Sequence, residues 1–420
     1  MMILKDPLYG FISIPEPFER LVNSVPFQRL RNIKQLGKNY LIYPSANHTR
    51  FEHSVGAYYL ATKFAEINRI ERKNEFIAAA LLHDLGHYPF SHAIEDSVAL
   101  TNGFNHEEQT LNLIRGYEIS KIIRNGGMNI NRVCDLIQGG GKFGKLISGQ
   151  IDVDRLDYLK RDSYYTGVAY GVIETDVIIK NLSISGKNYL AGIKYLPALE
   201  SILISRYLMY AMVYMHHKTV IANTMLRAAF SETSEAKEIS AGDLIKFDDI
   251  DLISRLRNSK TPAARLIGCL DRREFYEEAI VFRKPDFSDL NKLIGPQDVQ
   301  KTERIIAKEL KLKNYELLIN ILRFPAAKDS KIIIDIGAGK KQPLEKISPL
   351  LNALNAAEWN HWFIGVYCPK KHLKRVISAK NAIKKHLLRG VKERRVANLP
   401  AGKAGVQKTG KLDTITINVA

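Results

Sequence analysis

The chain has 420 residues, 45% hydrophobic and 25% charged, and its 62 Lys and Arg against 44 Asp and Glu leave a net charge of +18. Such a composition suits a soluble protein of two or three domains with a sizeable core and excludes general disorder. The positive balance favours polyanionic company, whether nucleotide phosphates, nucleic acid or an acidic surface. Cys134, Cys269 and Cys368 stand far apart with no CxxC pair, which argues against a disulfide framework or a thiolate metal site. The N-terminus runs at once into Lys5-Asp6-Pro7, and no uninterrupted apolar segment of about 18 residues is read, so a cytoplasmic protein with no membrane association is expected.

Turn formers (Pro7, Gly10, Pro15, Pro17) open the chain, and a helical pattern from Phe27 to Leu36 stops at Gly37. From Phe51 to Arg69 the apolar positions Val55, Tyr59, Leu60, Phe64 and Ile67 recur at helical spacing, which puts His53 at an inward-facing helix mouth. A second helix over about 74–86 ends in Leu81-Leu82-His83-Asp84-Leu85-Gly86-His87, and shorter helices are predicted at 106–115 and 118–124. After Gly139-Gly140-Gly141, the segment Ile151–Asp162 reads as a helix with Leu156 and Leu159 inward and Asp154, Tyr158 and Asp162 along one face.

Residues 197–230 give the strongest helical run, with Leu199, Leu203, Met212, Val213, Val220 and Leu226 expected to be buried and Arg206, Tyr210, Tyr214 and His217 sharing a stripe. Beyond Pro285 short β-like runs, Lys331–Ile334 and Trp362–Tyr367, alternate with helical ones. The predicted architecture is mainly α: a helical domain over 1–285 and a smaller α+β domain over 286–420 that carries a basic tail.

His83 and Asp84 sit together at the end of an apolar helix, where a buried unpaired carboxylate would be costly. A divalent cation is the natural partner, and His53 and Asp154 on their own helices would complete a set of two histidines and two carboxylates. A single histidine on an amphipathic helix is more often a core or surface residue; the four together reverse that reading. The pair His83 and His87, spaced i, i+4 as on zinc-protease helices, is weaker because Asp follows His83 and Gly86 interrupts the helix.

With Arg50-Phe51-Glu52-His53-Ser54, the doublet within His83-Asp84-Leu85-Gly86-His87, Asn105-His106-Glu107 and Ile151-Asp152-Val153-Asp154 in that order, the chain resembles the HD-domain phosphohydrolases. It is most similar to their deoxynucleoside triphosphate (dNTP) triphosphohydrolase branch. The resemblance covers about residues 1–235, weakens to about 285 and is faint beyond. It implies an HD-domain helical core, with His53, His83, Asp84 and Asp154 as metal ligands. It also implies a catalytic set of His92, Glu95 and His106, in which the acid orients His92.

The resemblance further implies that Arg50, His87, His106, Arg155, Tyr158 and Arg206 hold a triphosphate. Gln35, Leu36, Asp162 and Tyr214 would close around a deoxyribose, with Tyr210 lining the pocket where relatives carry a histidine. The His216-His217-Lys218 cluster is offset by one residue from the family's basic position. The implied reaction is attack of a metal-activated water on the α-phosphate, releasing deoxynucleoside and tripolyphosphate.

Guanidinium groups match phosphate oxygens in a bidentate way that lysine does not, which suits Arg50, Arg155 and Arg206 to such a substrate. The donor set accommodates Fe, Mn, Mg, Zn or Ni, and a second Mg could accompany the substrate phosphates. The resemblance also brings in a homo-oligomer and an activating nucleotide near Asn23–Arg31, although Asn23 replaces an acid that would read a guanine edge. Two other readings stand beside it: a phosphohydrolase acting on nucleotide monophosphates or a signalling nucleotide, and a protein that binds single-stranded nucleic acid through its positive charge. The stretch Ile334–Lys340 lacks the Ser or Thr of a phosphate-binding loop and reads as a strand with a tight turn.

Overall fold

A computed structural model describes residues 1–95, 105–185, 188–322, 332–358 and 361–389. The chain opens with a hairpin of β1 (Met2–Asp6) and β2 (Gly10–Ile14) and two short helices, α1 (Phe18–Val22) and α2 (Val25–Arg29). A helical core follows: α3 (Arg50–Ile67), α4 (Lys73–Leu82), α5 (His106–Arg115), α6 (Tyr117–Asn125), α7 (Ile130–Ile137), α8 (Val153–Thr166) and α9 (Thr175–Asn181). After β3 (Ser183–Ser185) and β4 (Asn188–Gly192) come α10 (Leu196–Met209), α11 (His217–Glu235), α12 (Asp249–Arg257) and α13 (Ala263–Asp271).

The C-terminal part contains β5 (Glu277–Arg283), α14 (Pro296–Glu309), β6 (Leu318–Leu322), β7 (Ile332–Gly337), β8 (Lys340–Pro343), α15 (Pro349–Glu358), β9 (Phe363–Cys368), α16 (Leu373–Ser378) and α17 (Lys380–Arg389). The protein is thus a helical core with a smaller α+β part.

The apolar periodicity of α3 and α4 does its work from all sides. Phe51, Val55, Leu60 and Phe64 on α3 interlock with Phe76, Ala79 and Leu82 on α4 and with Leu156 and Leu159 on α8, all buried. Burying these residues removes apolar surface worth roughly 1.5–3 kcal/mol for each large side chain, so three helix ends are pinned around one point. The start of α3 is set locally: the backbone N–H of Thr49 donates to the Glu52 carboxylate at 2.6 Å, a capping contact that satisfies an otherwise orphaned donor.

The expected domain boundary at 285/286 does not coincide with a gap in packing. Strand β5, which precedes it, pairs antiparallel with β9, and β9 pairs in turn with β6. Conversely β7 leaves this sheet to run parallel to β4 of the helical core, and Ile332, Ile334, Leu344 and Leu351 are buried there. The stretch Ile334–Lys340 is a strand and tight turn into β8, with Gly337, Ala338 and Gly339 all at positive φ. Of the basic C-terminal segment, 373–389 forms α16 and α17, and residues 390–420 lie outside the described residues.

The long run predicted over 197–230 is broken. A π-helical turn at Tyr210–Tyr214 follows α10, and α11 starts afresh after His216. Met212, expected inside, is 48% exposed, because the wider turn rotates the register. The run Ile193–Tyr214 is also long and apolar enough to cross a membrane by length and composition, which the sequence reading missed. In this fold it packs against α15 and α8, buries Arg206, and hydrogen-bonds Glu200 to Ser348 at 2.5 Å.

The crossing of the His83–Phe90 turn over α5 is close enough to require glycine. A Cβ on Gly86 would lie 2.1 Å from the Thr110 backbone nitrogen and 2.4 Å from the His106 carbonyl oxygen. Gly86→Ala is expected to destabilise the protein by about 1–3 kcal/mol, as overpacking against backbone does, read as a lowered urea midpoint at unchanged slope.

Asp249, whose carboxylate accepts the Lys34 backbone N–H at 3.1 Å, is raised by burial to about 7, against about 3.9 in an unfolded chain. Between those values the folded protein keeps a proton that the unfolded chain has lost, so this contribution to stability is present at low pH and disappears as pH rises to about 7. Asp249→Asn should therefore raise the urea midpoint at pH 8 and leave it little changed near pH 4.

Candidate metal centre and the cleft around it

Four side chains from two helices and the end of a third converge. His53 projects from the first turn of α3, His83 and Asp84 follow the last residue of α4, and Asp154 lies in the first turn of α8. His53 Nε2 is 3.2 Å from His83 Nε2 and 3.1 Å from an Asp154 oxygen; His83 Nε2 is 3.4 Å from Asp84 and 3.6 Å from Asp154. Ligand atoms of His53, His83 and Asp84 all lie within 4.8 Å of one another.

The remaining ring nitrogens settle what this cluster can hold. His53 Nδ1 lies 2.8 Å from Asp157, and His83 Nδ1 lies 2.8 Å from the Ala80 carbonyl oxygen. A carboxylate and a carbonyl only accept, so both Nδ1 atoms carry hydrogen and both neutral rings turn Nε2 lone pairs towards each other. Two facing lone pairs beside two carboxylates repel, and a cation among them removes the repulsion; the donor set fits a divalent metal. Without one, a proton takes that role. Burial pushes His53 down, but its hydrogen bonds to Asp154 and Asp157 outweigh it and lift the imidazole to about 10.

Behind the candidate ligands runs a buried chain of charges that the sequence pattern did not single out. Asp157 accepts from His53 and from two nitrogens of Arg161 at 2.9 and 3.0 Å, and Arg161 also reaches Asp6 at 2.8 Å. Despite its burial, Arg161 and His53 hold the Asp157 carboxyl at about 2. The signal was only the i, i+4 spacing of Asp157 and Arg161, which on an ordinary helix marks a solvated pair. Asp152 caps α8 by accepting the Arg155 backbone N–H at 2.7 Å, which leaves Asp154 to face the cluster.

Arg50 donates to Asp84 at 2.5 Å, and His87 Nε2 lies 3.2 Å from the same carboxylate. The His87 imidazole and the Arg50 guanidinium hold Asp84 well below the usual carboxylate range against the opposing effect of burial. His87 thus faces the HD carboxylate through a separate turn, outside the cluster that His53 and His83 form. The backbone of that turn is held by Arg29, which donates to the carbonyls of Leu85, His87 and Phe247 at 3.2, 2.6 and 3.0 Å.

A second imidazole group adjoins the first. The rings of His87 and His106 stack at 4.1 Å, and His92 lies 5.3 Å from one and 5.9 Å from the other. Burial, then Arg50 and His106, keep His87 well below its ordinary value and His92 at about 4. The expected pairing of Glu95 with His92 is replaced: the Glu95 carboxylate hydrogen-bonds His106 Nδ1 at 2.6 Å. One helical turn does not bring His92 and Glu95 together in that way, because His106 enters from α5 and takes the carboxylate.

Along α8, Tyr158 brings its ring to 6.5 Å from His53, and Asp162 accepts from Tyr214 OH at 2.6 Å and pairs with His48 Nε2 at 2.8 Å. The ring of Tyr210 is 5.0 Å from Tyr214 and lies under the Arg206 guanidinium at 5.4 Å. Burial raises Tyr158 and Tyr214 well above the ordinary phenol range. Arg155 bonds the Gln150 carbonyl at 3.3 Å, Gln35 is tied by its backbone to His48 at 3.0 Å, and Leu36 packs beside the core.

His217 does not join this stripe; it lines a 410 Å³ cavity on the other side of the π turn with Met215, Glu278, Arg283 and His361. Where an activating nucleotide was expected, Gln28 bonds Arg31 at 2.9 Å and Arg31 stacks over Phe51 at 3.5 Å.

Comparison with known proteins agrees with this geometry. The HD domain family matches residues 50–162, and the HD associated region matches residues 173–393. The uncharacterised protein MJ1154 of Methanocaldococcus jannaschii is 35% identical over 94% of this chain and 84% of its own length. The deoxynucleoside triphosphate triphosphohydrolase SAMHD1 homologue of Dictyostelium discoideum is 29% identical over 66% of this chain, and human SAMHD1 is 24% identical over 83%; the chain spans 59% and 65% of their lengths.

Among solved structures, a hypothetical protein from Aquifex aeolicus superimposes with a TM-score of 0.74 at 28% identity, over 90% of this chain and 99% of its own. A phosphohydrolase, BT4208, from Bacteroides thetaiotaomicron gives 0.71 at 26% identity, over 88% and 99%. With its doublet seated between His53 and Asp154 and an HD-associated region following, the chain belongs to the HD-domain phosphohydrolases.

Proposed function

We propose that the protein hydrolyses deoxynucleoside triphosphates to the deoxynucleoside and tripolyphosphate. One observation carries this reading: a single face of α8 presents Asp154 to the candidate ligand cluster, Tyr158 beside it, and Asp162 to Tyr214 at the far end. Eight residues of helix span about 12 Å, long enough to set a phosphate at one end and a sugar at the other. The names of the Dictyostelium and human relatives as dNTP triphosphohydrolases support the same substrate.

A divalent ion held by His53, His83, Asp84 and Asp154 supplies Lewis acidity towards a phosphate oxygen and makes a water more acidic. The rest is work for the chain's own residues. Arg50, Arg155 and Arg206 offer guanidinium forks to the phosphates. His87 and His92, held neutral, cost little to bring beside an anion, and an incoming polyphosphate raises their proton affinity. His106, oriented through Nδ1 by Glu95, presents Nε2 as the atom that hands a proton to the leaving 5′-oxygen, with His92 beside it. Tyr158 lines the cleft beside the cluster, Tyr210 and Tyr214 wall off the far end, and Gln35, Leu36 and Asp162 bound the sugar.

Purified protein with Mn²⁺ or Mg²⁺ should release tripolyphosphate from at least one of the four dNTPs, offered singly and in mixtures. His83→Ala and Asp84→Ala should each lower kcat on the order of 10³-fold or more. Phosphate release from monophosphates with no tripolyphosphate from any dNTP overturns the assignment. Asp157→Asn should weaken Mn²⁺ binding about 10–100-fold, as loss of an orienting carboxylate does; calorimetric titration of a variant with wild-type circular dichroism checks it.

A further inference from the structure

We infer that His48 is a positioning residue that sets how the far end of the cleft grips a sugar hydroxyl. The inference rests on the deoxynucleotide reading above and extends it to a residue outside the motifs that carry the family likeness. His48 lies just ahead of α3, beside the antiparallel bridge between Lys34 and Thr49. It acts on both sides at once. Its backbone carbonyl accepts the Gln35 N–H at 3.0 Å, and its Nε2 lies 2.8 Å from one Asp162 oxygen, while the other oxygen accepts from Tyr214 at 2.6 Å. Its ring stacks on Tyr165 at 4.6 Å and 18°, which fixes the plane.

The hydrogen-bond inventory points to a ligand. His48 Nδ1 is buried with no partner among the described residues, while Nε2 faces a carboxylate that only accepts and so carries the hydrogen that goes to Asp162. Asp162, only 2% exposed, can accept about four hydrogen bonds and receives two from these side chains. Gln35 Oε1 is buried and unpartnered among the described residues. Two acceptors with unused capacity, both anchored on His48, suit a ligand that brings a donor, and a sugar 3′-hydroxyl is such a donor. Without His48, nothing else described holds the first Asp162 oxygen, and the carboxylate is free to swing on Tyr214.

The test compares kcat/KM for the best dNTP with that for its 2′,3′-dideoxy counterpart in wild type, His48→Phe and His48→Gln. Phenylalanine keeps the stack on Tyr165 and removes the donor; glutamine can return an N–H near the Nε2 position. Wild type should prefer the hydroxylated nucleotide by roughly 10- to 100-fold. In His48→Phe that preference should fall below about threefold, and His48→Gln should recover part of it. Mn²⁺ affinity and melting temperature, read on the same samples, report folding separately.

A His48→Phe variant that loses activity equally on both nucleotides while keeping the wild-type preference overturns this inference alone, leaving His48 with a structural role. Wild-type protein that hydrolyses neither nucleotide, or both equally, overturns the sugar reading and this inference together.

Discussion

Everything in the cleft hangs on the buried line from His53 through Asp157 and Arg161 to Asp6. A charged pair out of water is costly, and it persists only where each lone pair and hydrogen finds a partner. Here both partners are engaged: Asp157 receives three bonds, and Arg161 spends two nitrogens on Asp157 and the third on Asp6 of the N-terminal hairpin. Gly56 makes room for this arrangement, since a Cβ there would lie 1.9 Å from the Asp157 carboxylate. The consequence lies at the other end of the line, where His53 has one permitted tautomer and one permitted orientation. The candidate ligand cluster therefore inherits its geometry from a structural ion pair, and the first residues of the chain, through Asp6, are part of the site's support.

Five of the six histidines described in this neighbourhood divide their labour by what sits on their second nitrogen. His53 and His83 give Nδ1 hydrogens to pure acceptors and expose Nε2 to the cluster. His87 spends Nδ1 on Ser91 and lies beside Arg50 and His106, which hold it neutral. His106 is tied to a carboxylate, and His48 has its hydrogen fixed on the side of Asp162. The same side chain thus stands in four settings, within the candidate ligand cluster, neutral beside Arg50, hydrogen-bonded to Glu95 and paired with Asp162, and neither burial nor sequence position alone decides among them. The net charge of +18 acts on a different scale: it draws anions towards the surface, while the local field inside the cleft is set by Arg50, Arg155 and Arg206 against the carboxylates around them, Asp84, Asp152 and Asp154 among them.

The residues legible in the sequence share a property. His53, His83, Asp84 and Asp154 each stand at a helix end, where apolar periodicity stops and a polar group must point inward, so the pattern of the four together marks them as candidates. Asp154, Tyr158 and Asp162 were legible because helical spacing does not depend on anything beyond α8. What was hidden depends on pairing across the chain. Asp157 looks like half of a surface i, i+4 pair until Asp6 arrives; His48 looks like a loop residue until Tyr214 and Asp162 close on it; and Arg29 looks solvated until three carbonyls from 56 to 218 residues away need its hydrogens. Glu95 shows the opposite failure, because a plausible local partner, His92, loses to one supplied by another helix.

The return of β7 to β4 has the same origin and a larger effect. Composition after residue 285 reads as a separate unit, and nothing in the run Ile332–Ile334 says which edge it will join. By pairing with β4 it buries Ile332 and Ile334 against the helical core, and the following α15 covers α10 through the Glu200–Ser348 contact. The helix that carries Arg206 into the cleft is thereby clamped from behind by the C-terminal part, immediately before the π turn that turns Tyr210 and Tyr214 inward. A π turn spends regular hydrogen bonding to re-aim side chains, and it holds only where flanking helices are fixed. The Tyr214 end of the cleft is thus braced by chain that lies more than a hundred residues later, so the HD helices alone do not contain the whole of the candidate site.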